Sequence, residues 1–295
     1  MKKAYTVFWV FFLLLAILCT KTEAGTFTIG AKYWYETTWD SGYLGIFVPM
    51  YTDNLRNSQD FTFENIEYEA LVGSGYLAGP LLGYQTDNGR WSFSIAAMVL
   101  SHFSQSVQGT SQVPVDISSI CEDCPLVIPF ETHERLTVDV TRRDYDFAAS
   151  YSFSQSDSFL EYCKVFLGFK YQQVEYGLTS NLRIWDITST ETYTSDYDVY
   201  MPTLGIGIVY PFSENIAAGI QGGIGGAFFD GLNIDDSLTY NFEANVSIKP
   251  TDNIIIQLGY RYQEFPFDFH DPEFGKTYES KDKTYGPTLT ITYAF

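Results

Sequence analysis

Two short stretches in the middle of the chain combine residue types that can do covalent chemistry. In His102-Phe103-Ser104 a base lies two residues from a hydroxyl, and a serine becomes a nucleophile only when an adjacent base takes its proton. In Cys121-Glu122-Asp123-Cys124 two thiols lie close together, and in an exported chain we expect a local disulfide between Cys121 and Cys124. A redox motif would need a thioredoxin-like βαβ context, which the sequence lacks, and a metal site would need two further ligands, of which only His133 is an obvious neighbour.

A larger set of charged residues falls at alternate positions of strand-like segments. Side chains two positions apart point to the same face of a strand, and we assign this face to the interior of the fold. The members of the set are Lys32, Glu36, His102, Arg142, Asp144, Asp146, Lys164, Lys170, Glu243 and Arg261. Because ionised groups in a narrow interior need partners or water, they predict either an ion-pair network that stiffens the interior or a polar path for small solutes. The network is favoured, although Gly205, Gly207, Gly223 and Gly225 leave space on one wall and favour some opening.

The segments that carry these residues alternate between apolar and polar side chains. Between 137 and 153, for example, Tyr145 and Phe147 alternate with Asp144 and Asp146. Tight turns are predicted at 87–90, 155–158, 212–215 and 250–253, and the longest loops at 105–134, 178–196 and 265–282. Short turns at one end and long loops at the other are typical of transmembrane β-barrels.

We therefore predict an all-β fold, a transmembrane antiparallel up-and-down β-barrel with short periplasmic turns and long external loops. Ten strands fit the pattern if 26–50 and 60–86 form one long hairpin, and twelve if this region holds two additional short strands. The barrel must close, because lipid leaves no sheet edge unpaired. The alternative fold is a soluble β-sandwich, but outward faces as uniformly apolar as these would be insoluble.

The composition and the N-terminus agree with an exported membrane barrel. Aromatic residues make up 18% of the chain, with 23 Tyr and 24 Phe, and such barrels carry aromatic girdles at both membrane interfaces. The net charge of -19 argues against a nucleic-acid partner, which would repel the chain. Residues 1–24 are predicted to be a cleaved signal peptide, with Lys2 and Lys3 before an apolar run and Ala24 before the cut. Residues 25–295 then form a single barrel domain.

The end of the chain is a strand whose apolar face is Pro287, Leu289, Ile291, Tyr293 and Phe295. It resembles the closing strand of bacterial outer-membrane β-barrels, in which the terminal aromatic residue is recognised by the barrel-assembly machinery. The resemblance implies an outer-membrane location, with Tyr293 and Phe295 as the membrane-insertion signal. It also implies three kinds of partner: the assembly machinery, outer-membrane lipids and lipopolysaccharide.

Two further resemblances are to outer-membrane enzymes. Asp144-Tyr145-Asp146 and Asp268-Phe269-His270 resemble the acidic pair and the Asp-x-His pair of omptins, ten-stranded proteases in which His and Asp activate a water at the barrel mouth. In omptins several strands follow the Asp-x-His pair, whereas one strand follows it here. His102-Phe103-Ser104 resembles the His-x-Ser of outer-membrane lipid hydrolases, although alternation places it in the lumen rather than against the lipid.

The sequence favours a non-enzymatic outer-membrane barrel, which is either a small, partly plugged channel for small solutes or a structural and surface barrel. The alternative is a barrel-embedded hydrolase at the outer mouth, with Asp144, Asp146, Asp268 and His270 as its candidate catalytic residues. No metal or other cofactor is expected in either case.

Overall fold

The computed structural model describes residues 25–40, 72–101, 103–116, 127–153, 159–184, 187–230, 234–271 and 276–295. These ranges form strands and one short 3₁₀ helix, η1 (Phe159–Tyr162), and none of their helices is long and apolar enough to cross a membrane. The strands are β1 (Thr26–Asp40), β2 (Val72–Gln85), β3 (Trp91–Ser101), β4 (Phe103–Asp116), β5 (Val127–Ser152), β6 (Cys163–Ile184), β7 (Ile187–Ser213), β8 (Ile216–Asp230), β9 (Ser237–Thr251), β10 (Ile254–Asp271) and β11 (Lys276–Ala294). The predictions for residues 1–24, His102 and the Cys121 and Cys124 pair lie outside the described residues.

The strands pair antiparallel in sequence order, and the last strand, β11, pairs with β1. β3 and β4 are separated only by residue 102 and pair with successive parts of β5, β3 with 143–151 and β4 with 127–140. They occupy one position of the sheet, which therefore closes into a ring of ten strand positions. This ring confirms the predicted up-and-down barrel and the count of ten rather than twelve.

Short turns lie at one end of the barrel. The turn 86–90 joins β2 to β3, and Gly89 adopts a φ of 66° there, a left-handed conformation that glycine reaches without strain. Turns at 214–215 and 252–253 join β7 to β8 and β9 to β10, as predicted. Both chain ends of the barrel lie at this end, where the Phe295 amide donates a 2.9 Å hydrogen bond to the Phe27 carbonyl.

At the opposite end the strands extend further than the sequence predicted. The segments predicted as loops are mostly paired hairpins: β4 pairs with β5 up to Asp116↔Val127, β6 with β7 up to Ile184↔Ile187, and β10 with β11 up to Asp271↔Lys276. The prediction was wrong because the outward positions of these segments are mostly polar, unlike those of a membrane strand. A strand whose outer face meets water needs no apolar outward side chains, while the threonines of these segments still favour extended backbone.

The outward faces of the strands form an apolar band. Leu204 and Ile206 are 64% and 70% exposed, and similar exposure recurs on other strands, as at Phe27, Leu82 and Leu258. An apolar surface of this extent is unfavourable in water and favourable against lipid hydrocarbon. The band therefore marks the part of the barrel that spans the membrane.

Aromatic rows border this band on both sides. Tyr145, Tyr171 and Tyr200 are register partners on β5, β6 and β7, with ring centroids 5.8 and 5.1 Å apart. Further along β7, near the short turns, Tyr210 packs against Tyr162 with ring centroids 5.0 Å apart. From Tyr200 to Tyr210 the strand advances about 34 Å, or about 26 Å along the barrel axis at a tilt of about 40°. This separation matches the height of about 25 Å typical of the apolar band of outer-membrane barrels.

Candidate functional site

The interior of the barrel consists of three layers along its axis. Nearest the short turns is a cavity of about 300 Å³, here called the polar cavity, which is lined mainly by polar side chains. Next comes the ion-pair layer, formed by Arg142, Asp144, Asp146, Lys170 and Arg261. Beyond it lies the apolar plug, formed by Leu77, Met98, Leu100, Val138, Val140, Val174, Tyr176, Leu178, Tyr197, Val199, Met201, Phe265, Phe267 and Phe269.

The centre of the ion-pair layer is the carboxylate of Asp144, which is 0% exposed. Arg142 donates to it twice, from Nε to Oδ1 and from Nη2 to Oδ2, both at 2.9 Å, and Lys170 Nζ lies 2.7 Å from Oδ2. Both cations also have uncharged acceptors, since Arg142 Nη1 donates to Thr284 Oγ1 and Lys170 Nζ to Gln263 Oε1, each at 2.7 Å. Asp144 thus contacts two cations, and Asp146, which lies 3.9 Å from Lys170 Nζ, and Asp282, which interacts electrostatically with Arg142, help to meet the need of these buried charges for partners.

A second ion pair crosses the lumen. Arg261 Nη1 on β10 donates to Asp146 Oδ2 on β5 at 2.8 Å, and these strands are five positions apart in the ring of ten. The pair therefore connects diametrically opposite walls. The buried indole of Trp34 on β1 stacks on the layer, with its ring centroid 4.9 Å from the Arg261 guanidinium carbon and 5.4 Å from Lys170 Nζ. Side chains from four strands, β1, β5, β6 and β10, thus meet through ion pairs and cation–π contacts and fill the middle of the lumen.

The apolar plug fills the lumen beyond the ion-pair layer. β10 contributes Phe265, Phe267 and Phe269, which are 0%, 3% and 7% exposed. Phe229 from β8 packs against the first two of these, with ring centroids 5.8 and 5.7 Å apart. Sequence reasoning missed this part of the interior because it treated 265–282 as a loop. The strict alternation of these phenylalanines with polar residues at 264, 268 and 270 is the signal that could have found it.

The polar cavity contains three more of the charged residues that alternation assigned to the interior, while the side chains of Glu36 and His102 lie outside the described part of the chain. Lys32, Lys164 and Glu243 line it, and Lys32 Nζ lies 3.9 Å from Glu243 Oε2. Its uncharged polar lining includes Ser92, Ser94, Ser150, Gln221, Asn241 and Gln257. The structure therefore places in the lumen every member of the predicted charged set whose side chain it describes.

The sequence suggested that the glycines of β7 and β8 widen the lumen, but in the structure they do not. A Cβ at Gly205 would lie 2.3 Å from Phe166 Cζ, and a Cβ at Gly223 would lie 3.0 Å from the same atom. The Phe166 ring, which points inward from β6, occupies the space that these glycines leave. In the same way the Lys164 side chain lies over Gly207, where a Cβ would come within 2.8 Å of Lys164 Cε.

The four candidate catalytic residues do not come together. Asp144 and Asp146 belong to the ion-pair layer, whereas Asp268 and His270 are exposed on the outer face of β10, on either side of the inward-facing Phe269. The described ranges contain no group of three or more His, Cys, Asp or Glu side chains placed to hold a metal ion. The omptin-like arrangement of an acidic pair facing an Asp-x-His pair is thus not formed.

His270 instead lies between a hydroxyl and a carboxylate at the outer rim. Its Nδ1 is 2.9 Å from Thr277 Oγ1, and its Nε2 is 2.9 Å from Asp235 Oδ2. Thr277 is the register partner of His270 on β11, and the Asp235 amide donates a 3.0 Å hydrogen bond to the Asp268 carbonyl, which holds this segment against β10. A hydroxyl, an imidazole and a carboxylate in this order have the chemistry of a nucleophile, a base and a group that orients the base. The sequence offered no signal for Asp235 or Thr277, which meet His270 only through strand pairing.

Comparison with known proteins finds likeness in structure alone. No protein family matches the sequence, and no curated protein matches it. The chain is similar to the outer membrane protease OmpT from Escherichia coli, at 10% identity and a TM-score of 0.49 over 94% of this chain and 100% of that one. It is also similar to the translocator domain of autotransporter NalP from Neisseria meningitidis, at 8% identity and a TM-score of 0.38 over 99% and 96%.

A third structure, the outer membrane protein OprG from Pseudomonas aeruginosa, matches at 9% identity and a TM-score of 0.30 over 93% of this chain and 97% of that one. Likenesses this distant carry no argument about function. The assignment of the fold rests on the closed strand pairing, the apolar band and the aromatic rows of this chain itself. On those grounds the chain is a transmembrane antiparallel β-barrel of ten strand positions.

Proposed function

We propose that the protein is a closed, non-enzymatic barrel of the bacterial outer membrane that acts as a structural and surface barrel. The observation that carries this proposal is the occlusion of the lumen. The Asp146–Arg261 pair joins opposite walls, and the apolar plug fills the space beyond it. The short turns at one end, the long hairpins at the other and the aromatic closing strand support an outer-membrane location with the hairpins outside.

The plug would be costly to open. Exposing a buried phenylalanine to water costs about 1.5–3 kcal/mol, so exposing the three inward rings of β10 would cost roughly 5–9 kcal/mol. An open state that lies about 5 kcal/mol above the closed state is populated at less than about one part in a thousand. A passage through this interior would therefore need a rearrangement that the packed side chains oppose. Of the two non-enzymatic roles, this favours the structural barrel over the channel.

Planar-bilayer recording tests this proposal. The folded wild-type protein should insert without discrete conductance steps, and Arg261→Ala alone should stay silent because the plug remains. Adding Phe265→Ala and Phe267→Ala should produce steps, whereas Phe212→Ala, which removes an exposed ring, should not. Discrete steps from the wild-type protein that change with Arg261→Ala would overturn the proposal and establish a channel.

One observation favours a second candidate, a hydrolase at the outer rim, and it is the order Thr277, His270, Asp235. In such a reaction Thr277 Oγ attacks an ester carbonyl while His270 Nδ1 takes its proton. The imidazolium then protonates the leaving alkoxide, and water attacks the acyl group in the reverse sequence. Asp235 orients the imidazole through Nε2.

Intact cells that display the protein would be assayed with a chromogenic ester. A rate above that of cells without the protein, lost in Thr277→Val and His270→Gln, would support this candidate. Asp268→Asn separates the two enzymatic alternatives, because an omptin-like reaction would lose activity and the Thr277 reaction would not. Equal rates from all strains eliminate the hydrolase.

A further inference from the structure

We propose that the polar cavity is a binding site for a small hydrophilic anion, which enters from the short-turn end of the barrel. The cavity, of about 300 Å³, is large enough for inorganic phosphate or a short dicarboxylate. It has a closed end, because the ion-pair layer and the apolar plug lie beyond it. The proposal rests on the fold and does not depend on whether the barrel conducts solutes.

The mouth of the cavity is lined mainly by small residues. By strand alternation the inward positions towards the short turns include Thr28, Gly30, Ser152, Ser247 and Thr292. Two longer inward side chains lie next to the turns: Gln85, which donates to the Gly89 carbonyl of its own turn at 3.3 Å, and Lys249, which is exposed. A small solute on the short-turn side of the membrane therefore has access to the charged groups further in.

The cavity contains more positive than negative charge. Lys32 and Lys164 share one carboxylate, Glu243, which lies 3.9 Å from Lys32 Nζ and also interacts electrostatically with Lys164. The other acidic group in the lining, Asp146, is engaged by Arg261 at 2.8 Å. Within the described ranges no carboxylate lies within 4.0 Å of Lys164 Nζ. A bound anion would supply the missing partner of a partly buried ammonium.

This positive charge is a local feature, since the whole chain has a net charge of -19. The strand register positions it, because Lys164, Gly207, Gln221 and Glu243 are consecutive register partners on β6, β7, β8 and β9. Gly207 has no Cβ, so the Lys164 side chain can lie across β7 towards the cavity. The Gln221 amide beside it offers a neutral donor for the same anion.

Isothermal titration calorimetry on the folded protein in uncharged detergent at low salt tests the site. The probes are inorganic phosphate and succinate, with glycerol as the neutral comparison. We expect the two anions to bind and glycerol not to bind. Lys164→Gln should weaken anion binding at least tenfold, while Arg90→Gln, which removes an exposed cation from the turn 86–90 at the same end of the barrel, should leave it unchanged.

Glu243→Gln provides a variant with the opposite expected sign. It removes the carboxylate that competes with the ligand for both lysines, so anion affinity should rise several-fold. The proposal is overturned if the wild type binds neither anion at millimolar concentration, if Arg90→Gln weakens binding as much as Lys164→Gln, or if Glu243→Gln weakens it. A barrel that binds anions and also conducts would contradict only the proposed closed barrel, so the two failures are distinguishable.

Discussion

Asp144→Asn is expected to destabilise the folded barrel by about 3–5 kcal/mol, the range for removing one partner of a buried ion pair. The magnitude follows from the three charge-assisted contacts of this fully buried carboxylate, two from Arg142 at 2.9 Å and one from Lys170 at 2.7 Å. The amide keeps the shape and one acceptor oxygen but removes the nearest anionic partner of two buried cations, which leaves Lys170 with Asp146 at 3.9 Å and Arg142 with the electrostatic interaction of Asp282. Arg142→Met should cost less, about 1–3 kcal/mol, because Asp144 keeps its contact with Lys170.

The assay is reversible unfolding in urea in the presence of lipid vesicles, with the folded fraction read from the heat-dependent shift of folded barrels in gel electrophoresis. Glu175→Gln is the matched control. It removes the carboxylate of an ion pair between β5 and β6, in which Arg143 Nη1 lies 3.2 Å from Glu175 Oε1 and the two side chains are 40% and 55% exposed. Because this pair is exposed, the change should cost about 0–1 kcal/mol. The double variant Arg142→Met with Asp144→Asn should cost less than the sum of the two single variants.

The reasoning is refuted if Asp144→Asn costs no more than Glu175→Gln. That result would mean that water reaches the ion-pair layer and solvates its charges, contrary to the burial of Asp144 and Arg142. It would also remove the basis for a closed lumen, since a hydrated layer would leave a polar path.

Two further predictions concern a glycine and the end of the chain. Gly205→Ala should lower stability by about 1–3 kcal/mol in the same unfolding assay, because its Cβ would meet Phe166 Cζ at 2.3 Å. Gly222→Ala, whose Cβ would have its nearest atom at 3.7 Å, should cost less than half as much. Equal costs would contradict the packing of Phe166 against these glycines. Phe295→Ala should reduce the fraction of protein that is assembled into the outer membrane of cells. The unfolding midpoint of the purified barrel should stay nearly unchanged, because Phe295 is 72% exposed and its hydrogen bond to Phe27 comes from the backbone. Normal assembly would show that the terminal aromatic residue is not an insertion signal here.

The sequence alone determined the local features of this structure, namely the direction of side chains along each strand and the positions of tight turns. Alternation is a property of successive residues, so the inward position of Arg142 or Lys164 and the outward position of Tyr145 could be predicted without knowing any partner. Asn-Gly at 88–89 predicted its turn for the same reason, because the left-handed backbone is a local requirement. The closed barrel followed from the apolar outward faces and the absence of edges in lipid.

The tertiary structure alone decided which side chains meet. Asp146 reaches Arg261 and His270 reaches Asp235 only because ring closure and register bring distant strands together, and alternation carries no information about either. The hairpins beyond the membrane have mostly polar outward faces because water and not lipid covers them, so the apolar-outward pattern of a membrane strand does not continue into them. The inward phenylalanines of β10 do alternate with polar residues, but with the apolar side inward, opposite to the part of the barrel within the membrane. That they fill the lumen depends on the strand continuing past the membrane, and only the pairing with β11 establishes that it does.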